Sequence, residues 1–296
     1  MSELCCDLSL GAGETLGATA TTAERWLLIE VPGAWERDVG AGAGLPGAAR
    51  DAVTDWLGSA RGSRLQFIRR PGRTEAHLLA FIVESKESGG VVRRVELGGL
   101  AELAELDLDS SGHVVDRSLV LVCGHGSRDR CCAVRGTELY AALEERLSEE
   151  ELWVSSHQGG HRFAPNLLIL PAGLQFGRVP PQHSRFLAAR AIAGRIELEW
   201  YRGRACYDEV VQAAELAVRR EARLDGVADV ALESVEDSVI TFRTREGGEY
   251  TVVVEEIDGP AVPASCGAEP EAQLHHTARS VTLNPSPNLG AGMRGR

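Results

Sequence analysis

The sequence predicts an α/β protein with a small α+β unit appended. Three observations carry that prediction. Short apolar runs bounded by turn residues alternate with longer segments of helical periodicity. The order strand–helix–strand–strand–strand–helix is written twice between residues 26 and 193. After residue 204 the pattern changes to one charged helix followed by an antiparallel meander. At 296 residues the chain is long enough for two or three such units, each with its own core.

Taken in order, residues 1–24 are small and rich in Gly and Thr, and read as a mostly irregular lead-in. WLLIEV (26–31) reads as a buried strand. Residues 47–60 have helical periodicity, with Ala48, Val53, Trp56 and Leu57 on related faces. Residues 63–69, 77–84 and 91–97 read as strands, separated by Pro71-Gly72 and by Ser88-Gly89-Gly90, and a short helix runs from Leu100 to Leu106. The second pass begins with SLVLVC (118–123) as a strand and a helix over 136–148, where Leu139, Leu143 and Leu147 recur every fourth residue. Residues 151–156, 166–170 and 174–179 read as strands, and 182–193 as the closing helix. The shared order raises the reading of an internal duplication, whose first copy has no cysteine anywhere in 25–105. Residues 206–223 form a helix, and 228–257 a meander whose hairpin turns at Gly247-Gly248. Beyond residue 260 Gly, Pro, Ser and Asn dominate, which predicts a largely disordered tail. The expected divisions are 1–106, 107–204, 205–260 and 261–296.

Charge and composition exclude several classes. A net charge of −12 argues against nucleic-acid phosphates or an anionic membrane surface as partners, and suits a protein partner with a basic face. No apolar run approaches the length of a membrane span. The opening MSELCCDLSL has neither the basic start nor the apolar core of a secretory signal, so the expected location is cytoplasmic. The seven cysteines are odd in number and unevenly spread, which is no disulfide framework.

Two segments concentrate chemistry: VCGHGSRDRCCAVRG (122–136) and SHQGGHRFAPN (156–166). Each follows a predicted strand. If those strands are parallel neighbours in a βαβ unit, both loops lie at one sheet edge, and Cys123, Cys131 or Cys132, His157 and His161 come within reach of one another. Thiolate and imidazole together select zinc, copper or iron–sulfur clusters. A structural zinc site usually uses a tight C-x2–4-C knuckle, whereas eight residues separate Cys123 from Cys132. The histidines fit H-x3-H, but Gly159 and Gly160 between them disfavour a helix, and a loop letting backbone approach a bulky ligand explains them better. A Rieske centre would need a second C-x-x-H, a metalloprotease a glutamate inside HQGGH, and a zinc deaminase an H-x-E with C-x-x-C; all are missing. His125 reads either as a hydrogen-bond donor beside the site or as a turn cap. Arg128 and Asp129 are expected to pair, Gly136 to end the loop, and Arg162 and Phe163 to shield the site. Cys5, Cys6, Cys206 and Cys266 have no ligand-like spacing and read as free thiols, and Cys131 as a small buried residue.

Together the two segments resemble the sucrase/ferredoxin-like family of thioredoxin-like ferredoxins. The resemblance rests on C-x-H-G-x-x-D-x-C-C-A (Cys123 to Ala133), H-x-G-G-H-x-F-A-x-N (His157 to Asn166) and the P-x-G turn (Pro171 to Gly173), with WLLIEVPGAW extending it to roughly residues 1–270. It implies a thioredoxin-like ferredoxin domain and a [2Fe–2S] cluster held by Cys123, Cys132, His157 and His161, with Cys131 as the substitute for Cys132. It implies an electron carrier working with a redox partner protein rather than a stand-alone enzyme. A thiol–disulfide oxidoreductase of the same fold and a structural zinc module are the alternatives. No paired-carboxylate site supports the sucrase half of the family's name.

Overall fold

The computed structural model describes residues 3–72 and 77–285. A short helix, α1 (Cys5–Gly11), opens the chain inside the expected irregular lead-in. In β1 (Arg25–Glu30), Trp26, Leu27, Leu28 and Ile29 are all buried, so both faces of the strand are covered. Helix α2 (Gly47–Ser59) returns the chain to β2 (Ser63–Arg69), parallel to β1. On the other side β3 (Leu78–Lys86), β4 (Gly89–Leu97) and β5 (His113–Val115) add antiparallel. The pattern then recurs. Strand β6 (Leu119–Cys123), helix α3 (Arg130–Glu144) and β7 (Leu152–Ser155) form a parallel βαβ unit. Strands β8 (Leu167–Leu170) and β9 (Leu174–Phe176) follow antiparallel, and after helix α4 (Pro181–Ile192) comes β10 (Tyr201–Arg204) on the edge.

The strand orders β5-β4-β3-β1-β2 and β10-β9-β8-β6-β7 are the same order with the same pairing senses. The two sets join edge to edge where Ile68 pairs with Ser155 and Arg69 with Val154, giving one mixed sheet of ten strands. That sheet bends hard at the junction. Phe81 on β3 and Trp153 on β7 lie three strand spacings apart, about 14 Å in a flat sheet, yet their rings meet edge to face at 5.6 Å. Alternation along the strands builds three cores. Leu27 and Ile29 pack with Val53 and Trp56 of α2. Val120 and Val122 pack with Leu139 and Leu143 of α3 and Leu187 of α4. Trp26, Leu28, Leu119 and Leu121 face the interior shared by the two halves.

Helix α5 (Glu209–Ala222) packs on a second, antiparallel sheet of β11 (Val230–Glu236), β12 (Val239–Thr244), β13 (Glu249–Pro263) and β14 (Pro270–Asn284). The expectation of a disordered tail from residue 261 is corrected over this stretch. Strand β13 runs through Pro260 because the register shifts between Asp258 and Ala261, and a proline is tolerated at such a bulge. Strand β14 then pairs along nearly the whole of β13. Residues 286–296 of the expected tail lie outside the described residues. Helix α3 also begins six residues before the predicted start at 136, because Asp129 caps it by accepting from the Cys131 amide at 2.8 Å. Gly136 therefore ends no loop. It sits buried within α3, where a Cβ would stand 2.1 Å from the Cys123 carbonyl oxygen.

Between the two sheets Glu215 and Arg219 form an ion pair at 3.0 Å, both side chains fully buried. Arg219 also donates to the carbonyls of Gly226 (2.6 Å) and Val227 (3.1 Å), and Tyr201 Oη donates to Glu215 at 2.9 Å. Every donor in this group depends on the glutamate or on a backbone oxygen. Glu215→Leu should cost about 3–5 kcal/mol, since it strands a buried guanidinium. Replacing both partners by apolar residues should cost clearly less. Urea unfolding of both variants measures the difference.

Candidate metal centre

The two chemistry-bearing loops leave the C-terminal ends of β6 and β7, which are parallel neighbours with Cys123 opposite Ser155. Cys123 is the last residue of β6, and Cys132 lies in the first turn of α3. Their sulfurs are 3.3 Å apart, and Cys132 Sγ is 4.0 Å from His157 Nδ1. The His157 and His161 rings lie with centroids 4.9 Å apart and planes 32° apart. All four residues expected as ligands are thus brought together. Cys131 is not among them. Successive helical residues point about 100° apart, and Cys131 Sγ lies 3.3 Å from the sulfurs of both Cys5 and Cys266.

The two thiols of the site differ: the hydrogen bond between them pushes Cys132 well above its usual range and lowers Cys123. The Cys123 thiol is held well below its usual range because Cys132 donates a hydrogen bond to it, with His157 adding to the effect against the penalty of burial. Burial pushes His161 down, which favours the neutral ring. His161 Nε2 contacts the Ala264 carbonyl, which can only accept, so that nitrogen carries the proton. Nδ1 is then left with its lone pair, buried and without a hydrogen-bond partner among the described residues. His125 positions its neighbour: its Nδ1 accepts from the His157 amide at 3.1 Å, which leaves Nε2–H to donate to the Glu36 carbonyl at 2.8 Å.

The Gly159-Gly160 turn has a different reason from the one its sequence suggests. Both residues have positive φ, +93° and +65°. A Cβ on Gly159 would lie 2.2 Å from Thr21 Oγ1, and one on Gly160 2.6 Å from Arg202 Nη2. What approaches these glycines is the protein's own frame. Arg202 is 2% exposed, and one of its nitrogens donates to the Gly159 carbonyl (3.0 Å) and to Asn166 Oδ1 (2.9 Å). Asn166 in turn donates to the Gly160 carbonyl at 2.9 Å. Burial, then the nearby Arg162, lowers the Arg202 guanidinium to about 9, while the Cys123 thiolate opposes the shift. Arg64 is likewise lowered by burial and supported by Cys123.

Sequence reading missed Arg64 and Arg202, since neither belongs to a motif and both reach the site only through the sheet. Of the expected helpers, Phe163 is buried beneath the guanidinium groups of Arg162, Arg178 and Arg202. Arg162 pairs with the buried Glu14 at 2.6 Å. Asp129 is taken up by backbone amides as the α3 cap rather than acting as the expected partner of Arg128. Cys206 stands apart, its thiol pushed up to about 12 by burial. An open cavity of about 400 Å³ reaches His157, lined also by Arg37, Asp38, Arg64, His125 and Arg128.

Among the described residues no helix is long and apolar enough to cross a membrane. Proteins named "Altered inheritance of mitochondria protein 32" are similar to part of the chain. The one from Eremothecium gossypii is 35% identical over 115 residues, 38% of this chain and 34% of that protein. The one from Saccharomyces kudriavzevii is 33% identical over 105 residues, 31% of this chain and 34% of that protein. The chain thus spans about a third of the length of these relatives. No solved structure matches it significantly. Residues 16–203 match the sucrase/ferredoxin-like family. That stretch covers well over half of the chain and holds both cysteine and histidine loops, and the chain belongs to the sucrase/ferredoxin-like family.

Proposed function

We propose that Cys123, Cys132, His157 and His161 hold a [2Fe–2S] cluster and that the chain passes single electrons to a protein partner. The observation that carries this reading is the donor set. Two sulfurs lie 3.3 Å apart on one side, and two imidazoles lie together on the other, one with an unpartnered buried nitrogen. A two-iron core can take all four donors, whereas one ion placed among the three nearest would leave out His161. Cys123, Cys132 and His157 bring their donor atoms within 4.8 Å of one another, while His161 stands outside that group. When bound, the cluster supplies a reversible one-electron couple, raised in potential by neutral nitrogen in place of anionic sulfur.

The chain's own residues supply position and charge. The Ala264 carbonyl fixes which His161 nitrogen is free. The buried Arg202 and the half-buried Arg64 offset negative charge on the cysteine side. Both cysteines are only 1% exposed, whereas His157 borders the open cavity, so electrons would enter and leave at the histidine side. We read residues 107–204 as a thioredoxin-like unit and residues 1–106 as its cluster-free copy, on the strength of the shared strand order and pairing senses. A thiol–disulfide oxidoreductase fits less well: its attacking thiol must reach a substrate disulfide, and Cys123 and Cys132 are enclosed.

Protein made with ample iron should contain about two irons and two sulfides per chain, as a [2Fe–2S] centre requires. Metal and sulfide analysis, with EPR after reduction, tests this; a zinc ion at these four residues in place of iron and sulfide would overturn it. His157→Cys should keep the cluster and lower its potential, because an anionic ligand replaces a neutral one. Potentiometric titration reads the shift, and an unchanged potential would remove His157 from the ligand set. Gly160→Ala should destabilise the protein by about 1–2 kcal/mol for the left-handed backbone alone, with a further cost from the Arg202 contact. Thermal unfolding and iron content should fall together.

A further inference from the structure

We propose that Cys5, Cys131, Cys266 and Asp129 form a second, separate site that binds a single zinc ion. Cys131 Sγ is 3.3 Å from Cys5 Sγ and 3.3 Å from Cys266 Sγ, and Cys266 Sγ is 3.8 Å from Cys5 Sγ. Asp129 Oδ1 is 3.9 Å from Cys5 Sγ. All four donor atoms lie within 4.8 Å of one another. A tetrahedral ion with thiolate bonds of about 2.3 Å sets its sulfurs about 3.8 Å apart. The group therefore needs little adjustment to close on one ion, unlike the wider cluster site.

The donors are prepared for this. The Cys5 amide donates to Cys266 Sγ at 3.5 Å, and the Cys6 amide to Cys131 Sγ at 3.4 Å. These bonds fix the positions of two of the sulfurs. Asp129 is fixed through both oxygens, which accept from the Cys131 and Cys266 amides at 2.8 Å each, and each oxygen keeps a lone pair for a metal. Three thiolates and a carboxylate, with Cys5 and Cys131 fully buried, make a closed four-ligand site of the structural kind. Metal entry would displace the thiol protons and move no electrons.

The ligands come from three remote places: α1, the start of α3, and the connection between β13 and β14. Cys5 and Cys266 are 261 residues apart. The same connection carries Ala264, whose carbonyl meets His161. A zinc ion here would pin the segment that orients one histidine of the other site.

The test uses the full chain, reduced. Elemental analysis should find one zinc per chain in addition to any iron. Cobalt added to the metal-free protein should give the visible bands and intense near-ultraviolet absorption of a tetrahedral cobalt thiolate. Cys123→Ser/Cys132→Ser, which removes the other site's thiols, should keep the zinc and the cobalt spectrum. Cys266→Ser should weaken zinc at least about 100-fold against a chromophoric chelator, beyond the usual loss for a second-layer partner. If that variant fails to fold, the cobalt spectrum of the double variant decides alone. No zinc or cobalt bound by the double variant overturns the proposal. So does a mass two hydrogens lower with Cys131 linked to Cys5 or Cys266, or iron and sulfide at these residues. A wild-type chain that binds zinc here but neither iron nor sulfide would overturn the electron-transfer reading and leave this one standing.

Discussion

The Asp129 carboxylate caps α3, and both cysteine groups depend on that bond. By accepting from the Cys131 amide it fixes where the helix begins. Once Cys131 and Cys132 are helical neighbours, their side chains diverge by about 100°. One faces Cys123 and the other faces Cys5 and Cys266. The other Asp129 oxygen accepts from the Cys266 amide and lies 3.9 Å from His161 Nε2. A single side chain therefore sets the helix start, separates two adjacent cysteines and borders both groups.

The histidine loop depends on the half of the chain that offers it no thiol. Its frame is built from β2 and the lead-in. Gln66 donates to the His157 carbonyl at 3.2 Å, Thr21 to the Gln158 carbonyl at 2.7 Å, and Ser156 to Gln66 at 3.0 Å. The Glu36 carbonyl fixes the tautomer of His125, which holds the His157 amide. The pairing of β2 with β7, continued where the Ser156 amide donates to the Phe67 carbonyl at 2.7 Å, brings Gln66 beside the loop. The first half of the sheet thus orients the histidines, which gives a physical reason for the two halves to share one sheet.

The local order of the chain was legible in its sequence, and its long-range order was not. Apolar runs placed nearly every strand of the ten-stranded sheet, and the loops after β6 and β7 fell at one edge as βαβ geometry requires. Parallel strands predicted that Cys123, Cys131 or Cys132, His157 and His161 come within reach, while the choice of Cys132 rested on the family resemblance. The start of α3 was misplaced because leucine periodicity marks a helix's buried middle, while the cap depends on one hydrogen bond. The glycines between the histidines were assigned to a ligand because Thr21 and Arg202 are remote in sequence and close only in space. Strand β14 was taken for a tail because composition counts Gly and Pro without knowing that a bulge can absorb Pro260.

Two of the cysteines with no ligand-like spacing, Cys5 and Cys266, meet Cys131 in space. Cys5 and Cys266 stand near opposite ends of the chain, and no motif links them. Around them the apolar packing is thin: Cys5, Cys6, Cys131 and Ala164, with Leu4 and Cys266 at the margin. Closing a loop of this length costs chain entropy that grows with the logarithm of its size, and so few apolar groups offset it weakly. Salt bridging helps at one point, where Arg135 of α3 meets Asp7 of α1 at 2.8 Å, but that pair is partly exposed and such pairs contribute little. Buried polar bonds behind α1 add to it: Arg178 donates to Ser9 at 2.8 Å, and Glu14 meets Arg162 at 2.6 Å and faces His275 of β14 at 3.6 Å. The sulfurs and the Asp129 carboxylate complete the junction, and a shared cation is the chemistry that such donors select.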